Sequence, residues 1–252
     1  MPPQAPRERW PVTIFGQNAR LKAATRLILV TDDIGRSAGQ LARIVAEALA
    51  GGATMVHLRE RRATPRQARS ALKAVAGACL AAGVPLMLNG AMARGLGPWA
   101  AEMADGVWWG KATWIPAPRP GTPSNPPDGP DPPDDALQPP LAAYSAHSTR
   151  EAAMAIAGGA DFVSLSPVYD TPGKAGIIPT AGTRLLTETR TALGPAAVLV
   201  ALGGIDETNA AATLRAGADG VAVMRAIMDS TDPRAAARRL REAMDRAGEA
   251  CA

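Results

Sequence analysis

Two cysteines and two histidines are all that 252 residues contain of the side chains that most often build metal sites and disulfide frameworks. Cys79 falls in an Ala-rich helical stretch and Cys251 in the tail, which argues against a disulfide scaffold or a zinc site. Aromatics are equally scarce, at 4%. Lys and Arg are scattered with no aromatic-interleaved basic stripe, so nucleic acid is not an expected partner. The formal charge of +4 suits an anionic small ligand equally well. No run of about 18 apolar residues is present, so no membrane span is expected. Residues 1–11 (MPPQAPRERWP) lack the apolar core of a secretion signal, and the cytoplasm is the expected location.

What the chain does hold is Ala, Val, Leu and Ile in a strict rhythm. Short apolar runs occur at 26–32, 54–60, 85–90, 105–110, 141–147, 161–168, 197–204 and 220–227. Stretches with helical spacing lie between them, at 39–50, 65–82, 149–158, 206–216 and 233–247. Gly-Gly-Ala or Gly-Ala-Asp follows several of these, as expected where a helix stops and turns into a strand. Alternating β and α segments with continuous apolar strands imply a parallel sheet covered on both sides. Eight units point to an α/β fold of the (βα)8 TIM-barrel class, with an open doubly wound sheet as the alternative.

The expected organisation is an N-terminal extension over 1–25, with one helix near 17–25, and a barrel over 26–252. Residues 112–140 are dense in Pro and Asp and occupy the slot of the fourth helix. Proline removes backbone donors and blocks helix interiors, so no regular helix is expected there. A tolerated insertion is favoured over a lid or a docking arm for a partner.

Chemistry in such barrels sits at the C-terminal ends of the strands. Those ends carry Thr31, Asp32 and Asp33; His57, Arg59 and Arg61; Asn89 and Gly90; Ser145, His147 and Ser148; Thr171 and Lys174; Gly203 and Gly204; and Met224 and Arg225. Strand alternation puts His57, Arg59 and Arg61 in one row, facing a shared pocket. Gly203-Gly204 after strand 7 and Met224-Arg225 after strand 8 form the expected phosphate site. The glycines let backbone N–H groups approach, and Arg225 adds a permanent cation. His147, two residues after Ser145, is the candidate catalytic group, since an unperturbed imidazole moves protons at neutral pH. The cations beside His57 are expected to lower its pKa and suit it to binding substrate anions. No charge neighbours His147 in sequence.

These strand-end segments together resemble the superfamily of thiamine phosphate synthase and the TenI-type thiazole tautomerases. The likeness rests on LVTD at 29–32, HLRER at 57–61, LNG at 88–90, GADFVSLSPVYDTPGK at 159–174, ALGGI at 201–205 and GADGVAVMRAI at 217–227. The resemblance implies two competing chemistries. The synthase pattern has Gln-x-Arg-x-Lys on strand 2 and magnesium carboxylates after strands 3 and 4; here His57, Arg61, Gly90 and Thr113 stand in those places. The tautomerase pattern has His-x-Arg-Glu-Arg, Asn-Gly and Ser-x-His-Ser, which His57–Arg61, Asn89-Gly90 and Ser145–Ser148 match. It implies acid/base isomerisation of a carboxythiazole phosphate by His147, with His57, Arg59, Arg61, Asn89, Ser145, Thr171 and Lys174 binding substrate. No metal or other cofactor is then expected. Magnesium belongs to the alternative, a divergent synthase with ligands from Asp32, Asp33 or the loop acids Asp128, Asp131, Asp134 and Asp135. A non-catalytic phosphate-binding barrel is the third reading. Departures from the tautomerase pattern are Arg225 in place of a serine, Ser166-Pro167, which looks more like the synthase's Gly-Pro, and Trp108-Trp109 in place of a histidine and a small apolar residue. The expected partner is a small phosphate ester, and homo-oligomerisation is left open.

Overall fold

The computed structural model describes residues 17–32, 35–110, 141–171, 180 and 182–249. Each apolar run becomes a strand of four to six residues, buried almost throughout. The strands are β1 (Leu27–Val30), β2 (Met55–Leu58), β3 (Leu86–Asn89), β4 (Gly106–Trp109), β5 (Leu141–Ala146), β6 (Phe162–Leu165), β7 (Val198–Leu202) and β8 (Gly220–Val223). All pair in parallel with their sequence neighbours, and β8 pairs with β1 to close the barrel. The open-sheet alternative is excluded. The expectation of a helix-free 112–140 segment lies outside the described residues.

Helices over the spacers follow their sequence signals. Helix α1 (Gln17–Ala24) precedes β1, and α2 (Ala38–Ala50) and α3 (Pro65–Ala82) follow β1 and β2. Both begin with a capping box, Ser37 with Gln40 and Thr64 with Gln67. The connection after β3 holds two short helices, α4 (Gly90–Leu96) and α5 (Pro98–Met103), which the periodicity did not single out. Gly95, Gly97 and Pro98 interrupt the segment and leave no long apolar stripe to read. Helices α6 (Thr149–Ala157), α7 (Gly182–Leu193), α8 (Ala210–Arg215), α9 (Arg225–Met228) and α10 (Pro233–Glu249) complete the described helices. Helix α8 is shorter than the spacing suggested. Asp206 accepts from the Thr208 N–H and Asn209 from the Asp206 N–H, so a turn takes the first residues.

The strand entries share one device. The residue immediately before each even-numbered strand grips a residue of the preceding odd strand twice. Its N–H donates to that residue's carbonyl and its side chain accepts from that residue's N–H. Thr54 grips Leu27, Asp105 grips Leu86, Asp161 grips Ala142 and Asp219 grips Leu199, over 2.7–2.9 Å. The Ala-Thr or Ala-Asp dipeptide before each even strand is therefore a register pin. Asp219 is also held by Arg190 and, at 2.9 Å, by Lys22 of α1.

Register decides what fills the lumen. Ile28, Val30, Met55, Met87, Trp108, Ala143, Phe162, Val198, Val200 and Ala222 form an interior cluster. Their odd-phase neighbours, such as Val56, Leu88 and Leu199, pack outward under the helices. Ala24 and Leu21 of α1 join the interior cluster.

The pins are testable. Asp161→Ala leaves the buried Ala142 N–H without its acceptor and should cost about 1–3 kcal/mol in urea denaturation. Asp161→Asn keeps a carbonyl acceptor and should cost clearly less; equal losses would attribute the effect to charge instead of to the hydrogen bond.

Candidate active site

The C-terminal strand ends bring the expected residues onto adjacent strands, but the surroundings of His57 and His147 differ from those expected. His57 points inward in the same phase as Met55, yet it does not reach a rim. Its side chain is 5% exposed and stacks on Trp108, with ring centroids 4.4 Å apart and planes 12° from parallel. Phe162 meets the other ring edge-on at 5.1 Å. Neither ring nitrogen of His57 has a partner among the described residues. Burial first, and the Arg59 cation second, lower its pKa from 6.5 to about 3. His57 is thus a neutral, buried group stacked on Trp108, and the expected order of causes for its lowered pKa is corrected. Neighbouring cations are the smaller cause.

Strand β2 ends at Leu58, so the projected His57–Arg59–Arg61 row does not continue as a strand. The Arg59 N–H donates to Thr31 Oγ1 at 2.9 Å, and the Arg59 side chain is half-buried. Arg61 lies in an exposed turn. On β3, Asn89 caps α4 through Oδ1, which accepts from the Ala91 N–H at 3.2 Å. Ser145 accepts from Trp108 Nε1 at 2.9 Å and from Ser164 Oγ at 3.4 Å, which ties β4, β5 and β6 together.

His147 follows β5 directly. Its Nδ1 meets the Ser166 carbonyl at 2.5 Å. A carbonyl only accepts, so Nδ1 carries the proton and Nε2 keeps the lone pair. The expectation of no adjacent charge is also corrected, because the His147 N–H donates to Glu151 Oε2 at 2.8 Å.

At the ends of β7 and β8, which pair as neighbours, the candidate phosphate residues come together. Gly203 (φ 105°) and Gly204 (φ 66°) adopt conformations that a side chain would strain. A Cβ on either would lie within 3 Å of the loop after β6, at Pro167 and Asp170. Their carbonyls accept from the Tyr169 N–H and Asn209 Nδ2. Met224 precedes α9, and Arg225 is its exposed first residue. Thr171 is half-buried in the loop after β6, and Lys174 lies outside the described residues.

Two contributors escaped the strand-end reading. Glu151 is one, legible as the last residue of a Ser-x-x-Glu capping pattern. Arg36 is the other: it pairs with the buried Asp32 and donates to the Met228 carbonyl at 3.0 Å, bracing the α9 turn from the β1 side. Its four-residue offset from Asp32 was the available signal.

A closed parallel barrel with polar groups gathered at its C-terminal strand ends defines a TIM-barrel enzyme. The chain belongs to the thiamine monophosphate synthase family, whose profile matches residues 27–111 and 138–227. It is 36% identical over 220 residues to the thiamine-phosphate synthase of Chloroflexus aurantiacus, covering 86% of this chain and 91% of that protein. It is 30% identical to the thiamine-phosphate synthase of Methanospirillum hungatei, covering 86% and 97%. The fold matches a thiamine phosphate pyrophosphorylase from Pyrococcus furiosus with a TM-score of 0.70 at 24% identity, over 90% of this chain and 98% of that one. The two relatives at 30% identity or more carry the synthase name, so the comparisons favour the synthase alternative over the tautomerase reading.

The His57 stack predicts a pH effect. The unfolded chain takes up this proton below about pH 6.5, while the folded chain resists it until about pH 3. Stability should therefore fall with acidification across that window, by up to about 1.4 kcal/mol per pH unit. His57→Phe removes the titration. In urea titrations at pH 7 and pH 5, the unsubstituted protein should lose roughly 1–2 kcal/mol more than His57→Phe. Equal losses would mean that His57 protonates while folded.

Proposed function

We propose that this chain acts on a thiazole phosphate in the making of thiamine phosphate, and that its step is a proton transfer by His147. Gly203-Gly204 and Met224-Arg225 hold the phosphate. The glycine carbonyls are engaged by Tyr169 and Asn209, and in this reading the backbone N–H groups of the turn meet the oxyanion. Nε2 of His147 takes a proton from one ring atom of the carboxythiazole phosphate and returns it to another. Throughout, Nδ1–H stays on the Ser166 carbonyl, which helps to stabilise the transient imidazolium.

The observation that carries isomerisation over transfer is the contact between Gly90 and Trp109. The resembling synthases hold a magnesium carboxylate where Gly90 stands. A Cβ on Gly90 would lie 2.5 Å from Trp109 Cε3, closer than such atoms approach. A carboxylate side chain does not fit there beside Trp109. Among the described residues, no group of three or more His, Cys, Asp or Glu is placed to hold a metal ion. The Asp32 carboxylate, a candidate substitute ligand, is paired with Arg36 through Oδ1, while Oδ2 has no partner among the described residues; the other candidates, Asp33, Asp128, Asp131, Asp134 and Asp135, lie outside the described residues. No step of the proposal runs through a metal.

The second reading is the transfer, joining an aminopyrimidine diphosphate to the thiazole phosphate with release of pyrophosphate. The chain's relatives among the thiamine-phosphate synthases support it, and on similarity alone it has the stronger backing. One incubation separates the two. The carboxythiazole phosphate is given to the protein with and without the aminopyrimidine diphosphate and magnesium. Isomerisation in the metal-free arm supports the first reading; magnesium-dependent pyrophosphate release establishes the second. Binding without turnover in either arm leaves a phosphate-binding protein.

In the productive assay, His147→Ala should lower kcat by about 10²–10⁴-fold. An unimpaired variant would remove His147 from the mechanism. Arg225→Ala should weaken thiazole phosphate binding roughly tenfold or more, as loss of a charge-assisted hydrogen bond implies. Tighter binding would mean that Arg225 fills the pocket.

A further inference from the structure

We propose that Glu151 is a positioning residue that fixes the tautomer of His147; this rests on the reading of His147 as the proton carrier. Three described helices begin with a hydroxyl cap and a Gln or Glu at the third helical position. In α2 and α3 the Gln side chain returns to the N–H of the capping residue itself, Ser37 or Thr64, at 2.9 Å in each. In α6 the first half of the same motif is present, because Ser148 Oγ accepts from the Glu151 N–H at 3.2 Å. The returning arm is displaced by one residue. Glu151 Oε2 accepts from the N–H of His147, not of Ser148. The displaced bond falls on the one residue whose ring orientation the chemistry needs.

The consequence follows from how His147 is held. The β5 end is tied to the β6 end by the Ser166 N–H donating to the Ala146 carbonyl at 3.0 Å. The imidazole reaches the carbonyl of that same Ser166. With its backbone N–H fixed by Glu151, the His147 peptide cannot rotate and Nδ1 stays on that carbonyl. Nε2 is then kept as the proton-accepting nitrogen. A Gln at 151 would suffice to cap a helix, as it does in α2 and α3. A carboxylate gives a stronger bond to an N–H and suits the positive end of the helix.

The experiment reads the tautomer directly, by ¹⁵N NMR of histidine-labelled protein. The chain has two histidines, and His147→Ala assigns the spectrum. The unsubstituted protein should show His147 in its neutral form as the Nδ1–H tautomer. Glu151→Ala should shift it toward the Nε2–H form that a free imidazole favours, and Glu151→Gln, which keeps an acceptor, should restore Nδ1–H. Glu151→Asp keeps the charge but is one methylene shorter, and should behave like Glu151→Ala. It serves as the second probe if the alanine variant does not fold. In whichever assay proves productive, kcat of Glu151→Ala should fall about tenfold or more, as a displaced catalytic group implies, with KM within about twofold. An unchanged His147 tautomer in Glu151→Ala and Glu151→Asp, even with a lowered Tm, would overturn the proposal and leave Glu151 as a helix cap only. Because the NMR arm needs no turnover, absence of both activities would remove the functional reading without deciding this one.

Discussion

The reciprocal grip of Thr54, Asp105, Asp161 and Asp219 on the odd strands is the constraint from which the rest of the molecule follows. A strand shifted by one residue presents its opposite face, so whatever fixes register also fixes which side chains enter the lumen. Each grip pairs both backbone groups of an odd-strand residue with one even-strand neighbour, where a slipped pairing would lose two hydrogen bonds at once. The barrel thus reads as four two-strand units. With that phase set, His57 and Trp108 both face the interior, and Ser145 and Ser164 become neighbours across β5 and β6.

The lumen then carries a built-in conflict. A chain poor in aromatics places Trp108, Phe162 and the His57 ring in one column, and that column buries two imidazole nitrogens with no partner among the described residues. Each orphaned polar atom costs about 1–3 kcal/mol. Apolar packing around the column offsets this cost, and His57 stays uncharged through the neutral range. The positive charge therefore lies higher on the strand ends, at Arg59 and Arg225, instead of at His57.

How much of this was legible varied with the kind of signal. Strand and helix alternation was plain, because burial on both faces writes continuous apolar runs and caps punctuate the helices. Helix α3 has the limits that its Thr64-Pro65 start and Gly83 stop imply. Residues 90–103 were opaque, since two one-to-two-turn helices broken by Gly and Pro have no period to detect. The candidate site was legible as a set of residues but not as a set of environments. Alternation gave the direction of His57, yet its depth depends on Trp108, which lies 51 positions away in sequence and arrives through β4. Likewise the Glu151 carboxylate is one helical turn from His147, but only the folded turn reveals which N–H it takes.

The brace from Arg36 to Met228 has a kinetic consequence. The register grips span 27, 19, 19 and 20 residues, whereas Arg36 reaches 192 residues along the chain to the Met228 carbonyl. Contacts of short sequence separation cost less loop entropy and form early; the seam between β8 and β1 must wait for the whole chain. The α9 turn that carries Met224 and Arg225 sits on that seam. On contact order, this corner is the last part of the barrel to be assembled, and a half-folded chain can own most of its hydrogen bonds while still lacking the seam that joins β8 to β1.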